Sequence, residues 1–122
     1  MNTDAYLLEI ANDTMSRVWV QARAIFGGKY IGKAPIILIN GRLRTTCGRA
    51  FIEEGKMDLS RKLFLEYTPG FIREIIPHEA AHFIAWRRFQ DAGHGADWKK
   101  VMRALGKEPL RYYTFDKPGD KS

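Results

Sequence analysis

The sequence places two histidines four residues apart, with a glutamate directly after the first, in the run His78-Glu79-Ala80-Ala81-His82. On an α-helix, residues at positions i and i+4 lie on the same face, so both imidazole rings can reach one metal ion. Glu79 points away from that axis, and its carboxylate can lie beside a water molecule on the metal without being a ligand. The run therefore predicts a helix that carries two metal ligands and a general base.

A third metal ligand has to come from elsewhere in the chain, because a catalytic zinc ion usually takes three protein ligands and leaves its fourth position to water. The chain has one further histidine, His94, twelve residues after His82. That spacing allows the first helix to end, the chain to turn and a second helix to return beside the first. We therefore expect His78, His82 and His94 to bind one zinc ion per chain. The alternative third ligand is a carboxylate, Asp97 or Glu108, but His94 is better placed and softer.

The pattern around the first two histidines is the HExxH motif of zinc-dependent proteases. The longer metzincin motif would require glycine at position 85 and histidine at position 88. The chain has Ala85 and Arg88 at these positions, so that class is excluded. Apolar side chains on both sides of the motif indicate a buried helix: Phe71, Ile72, Ile75, Ile76, Phe83 and Trp86.

The run 77–82, followed by residues 93–95 and by Trp98, resembles the SprT-like metalloprotease domain, a family that includes the Spartan proteases. The resemblance extends from the first helix to about residue 106. It predicts one SprT-like domain at residues 1–106 and a basic, aromatic tail at residues 107–122, the end of which we expect to be disordered.

The resemblance also implies a function. It implies zinc ligands at His78, His82 and His94 and a catalytic Glu79, with peptide bonds hydrolysed by a zinc-activated water. Spartan proteases degrade proteins covalently attached to DNA, so the implied substrates are proteins associated with or crosslinked to DNA. A related branch carries a similar motif in a small metal-dependent domain without established protease action. The alternative is therefore a non-proteolytic zinc-containing module that binds DNA or protein.

The pattern of apolar residues predicts an α+β domain, and the resemblance implies that it is a zincin-like minimal domain. Thr3 can cap a first helix that ends at about Phe26. Three strands follow, at residues 36–39, 45–53 and 57–60. The first strand is branched and apolar throughout, which predicts burial on both faces, and Asn40-Gly41 is a strong turn signal after it. We expect the three strands to form a small antiparallel sheet.

The metal helix is predicted from Thr68 to Phe89. Pro77 lies inside it and cannot donate a backbone hydrogen bond, so we expect a kink or a break there. The third histidine then lies in a glycine-bearing turn, and a second helix follows at residues 96–105. Trp98 on that helix is predicted to be a core anchor beneath the site.

Length and cysteine content bound the remaining possibilities. A chain of 122 residues is expected to form one domain, and we expect a monomer. The single cysteine, Cys47, cannot form an internal disulfide, which fits a reducing compartment. The N-terminus has no signal-peptide pattern, and the chain has no apolar run long enough for a membrane span. The sequence therefore predicts a cytoplasmic protein without a membrane partner.

The charge is uneven along the chain, which has a net charge of +6. Residues 17–62 hold ten basic and three acidic side chains, and residues 99–122 hold seven and three. This surplus predicts a surface for DNA, especially single-stranded DNA, with phosphate contacts from Arg42, Arg44, Arg49, Lys99, Lys100 and Arg103. The run 111–115 could stack on bases. Tyr112 or Tyr113 within it is also a candidate to stabilise the oxyanion.

Overall fold

A computed structural model describes residues 2–110 of the chain. In chain order the helices and strands are α1 (Thr3–Phe26), α2 (Gly28–Ile31), β1 (Ile36–Asn40), β2 (Gly48–Phe51), a 3₁₀ turn (Ile52–Glu54), β3 (Lys56–Ser60), α3 (Arg61–Glu66), α4 (Thr68–Gly70), a π-helical segment (Phe71–Ile75), α5 (Ile76–Phe89) and α6 (Ala96–Ala104). The predicted α+β class, with a three-stranded sheet and a metal helix, is confirmed. Within residues 2–110, no helix combines the length and apolar character that crossing a membrane requires. The tail from residue 111 lies outside the described residues.

The first helix, α1, connects the sheet to the metal helix, since it packs against both β1 and α5. Its buried residues recur at helical spacing and form one stripe: Leu7, Ala11, Thr14, Met15, Val18, Trp19, Ala22 and Phe26. The helix begins where predicted, but its cap is Asn2 and not Thr3. The Asn2 side-chain oxygen accepts a hydrogen bond from the backbone N–H of Ala5 at 2.8 Å, which satisfies one of the free donors at the helix start.

The sheet has the strand order β1-β3-β2 and is mixed, so the predicted antiparallel sheet is wrong for one of its two pairings. β2 and β3 form an antiparallel hairpin, but β1 runs parallel to β3. Asn40-Gly41 does not make a hairpin, because β1 pairs in parallel with β3 and not with the next strand, β2. The Asn40 side chain makes two contacts of its own. Its oxygen accepts from the Arg42 N–H at 2.8 Å and its amide donates to Asp58 at 2.8 Å. The chain then passes to the far edge of the sheet, and β3 returns between the other two strands.

This order also changes which strand is most buried. β1 was expected to be covered on both faces, but Ile36 is 66% exposed and Leu38 is 46% exposed, while Ile37 between them is buried. An edge strand with one face on α1 has no second layer to cover its other face. β3 is the central strand, and its residues Met57, Asp58, Leu59 and Ser60 are all buried.

At Pro77 we predicted a kink or a break, and the structure shows a change of helix type directly upstream while the backbone stays helical. The helical region before the motif is divided into α4, the π-helical segment and α5, and Pro77 lies in the first turn of α5. A proline leaves the carbonyl four residues earlier without its usual N–H donor. A wider π turn directly upstream is a common way for a helix to absorb such an interruption.

α5 forms the centre of the molecule. Every residue from Ile76 to Ala85 is buried, because α1, α2, α6 and β2 all pack against this helix. The two histidines and the glutamate of the motif are therefore polar side chains in a largely apolar layer. Polar groups in such a layer are costly unless they are paired or bound, which makes this helix the natural place for a functional site.

Candidate metal centre

His78 and His82 lie one helical turn apart on α5, and their ring centroids are 5.0 Å apart. Both side chains are buried, with 6% and 8% of their surface exposed. Alanines occupy the two positions before His82, so the helix carries little bulk between the two rings. The burial of α5 on its other sides leaves the rings facing the loop between α5 and α6.

The loop brings His94 onto this pair. Its Nε2 atom lies 3.1 Å from Nε2 of His82 and 3.1 Å from Nε2 of His78. In a tetrahedral zinc site with Zn–N bonds near 2.0–2.1 Å, ligand nitrogens are about 3.3 Å apart. The three rings therefore fit one such ion, and the predicted meeting of His78, His82 and His94 is confirmed.

The electrostatics of the site keep two of these rings neutral. Burial, followed by the neighbouring His82 and His94, lowers the pKa of His78 to about 3. Burial and His94 lower the pKa of His82 to about 4, although the Asp91 carboxylate and the Gly93 backbone oppose part of this shift. Neutral imidazole is the form that binds metals. Three nitrogen donors suit zinc and other transition metals, whereas calcium and magnesium prefer oxygen.

Glu79 follows His78 directly on α5 and is 5% exposed. Burial, with a smaller contribution from Asp58, raises the pKa of Glu79 to about 7. Among residues 2–110, no side chain or backbone N–H donates a hydrogen bond to its carboxylate. The group can therefore gain and lose a proton near neutral pH, which is the property a general base needs.

Trp98 forms the floor of the site and is fully buried. Its ring lies almost parallel to that of His82, at a centroid distance of 5.7 Å and an angle of 26°. It meets His94 edge to face at 4.7 Å, and its Nε1 donates to the backbone carbonyl of His78 at 3.4 Å. The prediction that Trp98 anchors the core beneath the site is confirmed.

The carboxylates considered as alternative third ligands lie outside the cluster. Within the described part of the chain, the residues that could hold a metal together are the three histidines. Asp97 lies on the first turn of α6 with its nearest cation, Lys100, at 4.0 Å. Glu108 is exposed beyond the end of α6.

The residues predicted for nucleic-acid contact are distributed over three elements. Arg42 and Arg44 are exposed on the β1–β2 loop, and three more are exposed on α6: Lys99, Lys100 and Arg103. Arg49 on β2 is different, because its guanidinium donates to both oxygens of Asp58, at 3.1 and 2.6 Å. An ion pair of this kind competes with any phosphate for Arg49.

Sequence reasoning missed two acidic residues that shape the site. Asp58 lies opposite Arg49 across β2 and β3 and contributes to the raised pKa of Glu79. Asp91 lies at the start of the loop that carries His94 and accepts backbone hydrogen bonds from Gly93 and Trp98. The sequence does contain a signal for Asp91, because an aspartate two residues before a glycine is typical of a side-chain turn.

Comparison with known proteins gives a consistent result. The sequence model of the SprT-like family matches residues 21–116. Protein SprT of Escherichia fergusonii is 33% identical over 121 residues, which cover 95% of this chain and 72% of that protein. Protein SprT of Shigella boydii is 39% identical over 74 residues, 59% of this chain and 45% of that protein. Protein SprT of Escherichia coli O1:K1 is 38% identical over the same shares. No solved structure gave a significant match.

Proposed function

Because this chain belongs to the SprT-like family, we propose that it is a zinc-dependent endopeptidase. The proposed ligands are His78, His82 and His94, and the proposed general base is Glu79. The observation that carries the proposal is the convergence of three imidazole nitrogens at 3.1 Å beside a buried glutamate whose pKa is about 7. A metal that only stabilised the fold would not need a proton-accepting carboxylate next to its ligands.

The residues divide the proposed reaction between them. A zinc ion held by the three histidines would supply Lewis acidity, which polarises a peptide carbonyl and makes a water molecule more acidic. Glu79 accepts a proton from the attacking water molecule as the water oxygen adds to the carbonyl carbon. Glu79 then delivers that proton to the amine as the C–N bond breaks. The oxyanion contact from Tyr112 or Tyr113 stays a prediction, because both residues lie outside the described residues.

The proposed substrate position is the outer edge of β2, which no strand within residues 2–110 covers. Both β1 and β2 are edges of the sheet, but they differ in what they pack against. β2 packs against α5, whereas β1 packs against α1. A peptide that added as a further strand to β2 would therefore lie beside the metal helix and would need only main-chain hydrogen bonds to bind.

Replacement of Glu79 by glutamine tests the proposed chemistry. We expect Glu79→Gln to bind zinc like the wild type and to lose cleavage of an unfolded protein substrate by at least about a hundredfold. Glu9→Gln is the matched control, since Glu9 is an exposed carboxylate on α1. Equal cleavage by the Glu79→Gln variant would refute the role of Glu79. Zinc binding without cleavage by any variant would favour the rival function, a zinc-containing binding module.

A specific surface supports a second part of the proposal, that the protein acts on proteins associated with DNA in the cytoplasm. Cations lie over aromatic rings where α2, α5 and α6 meet. Arg88 lies 4.6 Å from the ring of Tyr30 and 5.0 Å from that of Phe89, and Lys100 lies 4.7 Å from Phe89. Lys29 lies 5.7 Å from Tyr30. We call these five residues the cation–aromatic surface.

Two properties of the cation–aromatic surface suit single-stranded DNA. Neither Lys29 nor Arg88 forms an ion pair with a carboxylate in the described part of the chain, so both charges are available to phosphates. Tyr30 is 53% exposed, which leaves ring surface on which a base can stack. Of the cations predicted from sequence, Lys100 belongs to this surface.

Charge-matched variants test this second part. We expect Lys29→Ala/Arg88→Ala to weaken binding of single-stranded DNA and to lower the slope of log affinity against log salt by about one per lost phosphate contact. Arg17→Ala/Lys62→Ala removes the same charge from cations that are paired with Asp13 and Glu66. An equal loss of affinity for single-stranded DNA in both double variants would show a general charge effect and would contradict a specific binding surface. A larger loss in Arg42→Ala/Arg44→Ala would favour the group predicted from sequence.

A further inference from the structure

The third histidine lies on a short, glycine-bearing loop between α5 and α6. α5 ends at Phe89; the next residue, Gln90, has a left-handed conformation with φ of 59°, and α6 begins only at Ala96. Glycines lie on both sides of His94, and a glycine adds conformational freedom that must be removed if the ring is to keep one position. Something outside the two helices has to hold this loop in place.

The side chain of Asp91 joins the loop to the start of α6. One carboxylate oxygen accepts the backbone N–H of Gly93 at 3.0 Å, and the other accepts the N–H of Trp98 at 3.3 Å. These two donors lie on either side of His94 in the chain. The residue that precedes α6, Gly95, has no side chain that could cap the helix. Asp91 therefore supplies the missing cap from across the loop.

The same contacts link the loop to the rest of the site. Trp98, whose N–H binds Asp91, also donates through its indole to the backbone carbonyl of His78. A Cβ atom on Gly95 would lie 3.1 Å from the Asp91 carboxylate, so the loop is packed tightly around this group. The Asp91 carboxylate therefore accepts one hydrogen bond from the backbone of the loop and one from the backbone of Trp98, which forms the floor of the site.

We propose that Asp91 is a positioning residue for the metal centre, which holds His94 at coordination distance from His78 and His82. This inference rests on the proposed metal site and adds a residue that does not touch the metal. The competing explanation is that Asp91 is only a helix cap. A cap affects the stability of the protein, whereas a positioning residue also affects how tightly the folded protein binds zinc.

The test compares zinc affinity in variants that are shown to be folded. We expect Asp91→Ala to weaken zinc binding by about ten- to a hundredfold, measured by competition with a chromogenic chelator. Asp91→Asn keeps one acceptor oxygen and a good capping group, so we expect it to lose less zinc affinity than Asp91→Ala. Asp97→Asn is the control, because it removes a carboxylate from the first turn of the same helix without touching the loop. It should bind zinc like the wild type.

A second variant keeps the test decisive if Asp91→Ala does not fold. Gly95→Ala leaves every charge in place but directs a methyl group at the Asp91 carboxylate. We expect it to weaken zinc binding as well, because the methyl group displaces the Asp91 carboxylate from the two backbone N–H groups that it binds. The visible spectrum of the cobalt-substituted protein should change in both single variants, because the His94 contact to the metal is altered.

The outcomes separate failure of this inference from failure of the metal site. If folded Asp91→Ala bound zinc as tightly as the wild type and lost only stability, Asp91 would be a cap and the inference would be wrong. If the wild type bound no zinc, or if His94→Ala bound it as well as the wild type, the proposed metal site itself would be wrong.

Discussion

At the residue scale, the site combines ionisable side chains whose burial favours their uncharged forms. The pKa of His78 is about 3 and that of His82 about 4, while the pKa of Glu79 is about 7. In the metal-free protein near neutral pH, the two rings can offer lone pairs and the glutamate is close to half protonated. A bound dication adds the positive charge that these groups lack, and it favours the ionised form of Glu79.

The first prediction concerns Glu79 in the metal-free protein. Its pKa is raised from 4.5 to about 7 on folding, so its contribution to stability is fully present below pH 4.5 and is lost as the pH rises through 7. The free energy of unfolding of the wild type minus that of Glu79→Gln should fall by about 3 kcal/mol across this range. Urea unfolding in the presence of chelator measures both proteins. A difference that stays constant from pH 4 to pH 8 would contradict the raised pKa.

Residues of the site differed in how well the sequence predicted them. His78, Glu79 and His82 were predictable because their relation depends only on helical spacing. His94 was predictable because the chain has no fourth histidine. The pairing of Arg49 with Asp58 was not predictable from the sequence, because the two residues meet only in one register of β2 against β3.

At the element scale, contacts within short stretches of chain set the helices, and contacts between distant stretches set the sheet. The bounds of α1 and the interruption at Pro77 follow from local signals and were predicted. The parallel pairing of β1 with β3 depends on the path of the intervening chain, which local signals do not specify. The strong turn signal at Asn40 misled the prediction, because β1 does not pair with β2, the strand that follows the turn.

The second prediction concerns the junction between β3 and α3. The buried Ser60 hydroxyl accepts from the Leu63 N–H at 3.1 Å and donates to the Leu43 carbonyl at 2.7 Å. Ser60→Ala would leave both backbone groups without this partner, so it should lower the free energy of unfolding by about 2 kcal/mol. Ser16→Ala, on the exposed side of α1, should change it by less than about 0.5 kcal/mol. Similar values for both variants in urea unfolding would contradict this role of Ser60.

At the scale of the whole molecule, the described residues share one hydrophobic core that extends well beyond the metal site. Its members come from α1, α2, the sheet, α3, the π-helical segment, α5 and α6. Within this core the fully buried Phe64 and Phe71 stack on each other, with ring centroids 4.7 Å apart. Such a core differs from that of a small zinc finger, which depends on its metal to fold.

The third prediction follows from this core. Removal of zinc by chelation should lower the melting temperature but leave the helical circular dichroism at 25 °C nearly unchanged. The decrease in the free energy of unfolding should depend on the free zinc concentration before chelation. It should be about 4 kcal/mol if zinc was present at about a thousand times its Kd. Loss of the helical signal on chelation would show that the metal is needed for folding, and would contradict the core described here.

The claim on which the rest depends is that three imidazoles bind one zinc ion. X-ray absorption spectroscopy at the zinc edge of the loaded protein measures the ligands directly. We expect three imidazole nitrogens and one further light atom at about 2.0–2.1 Å. A shell with two imidazoles, a sulfur ligand or only oxygen ligands would contradict the site.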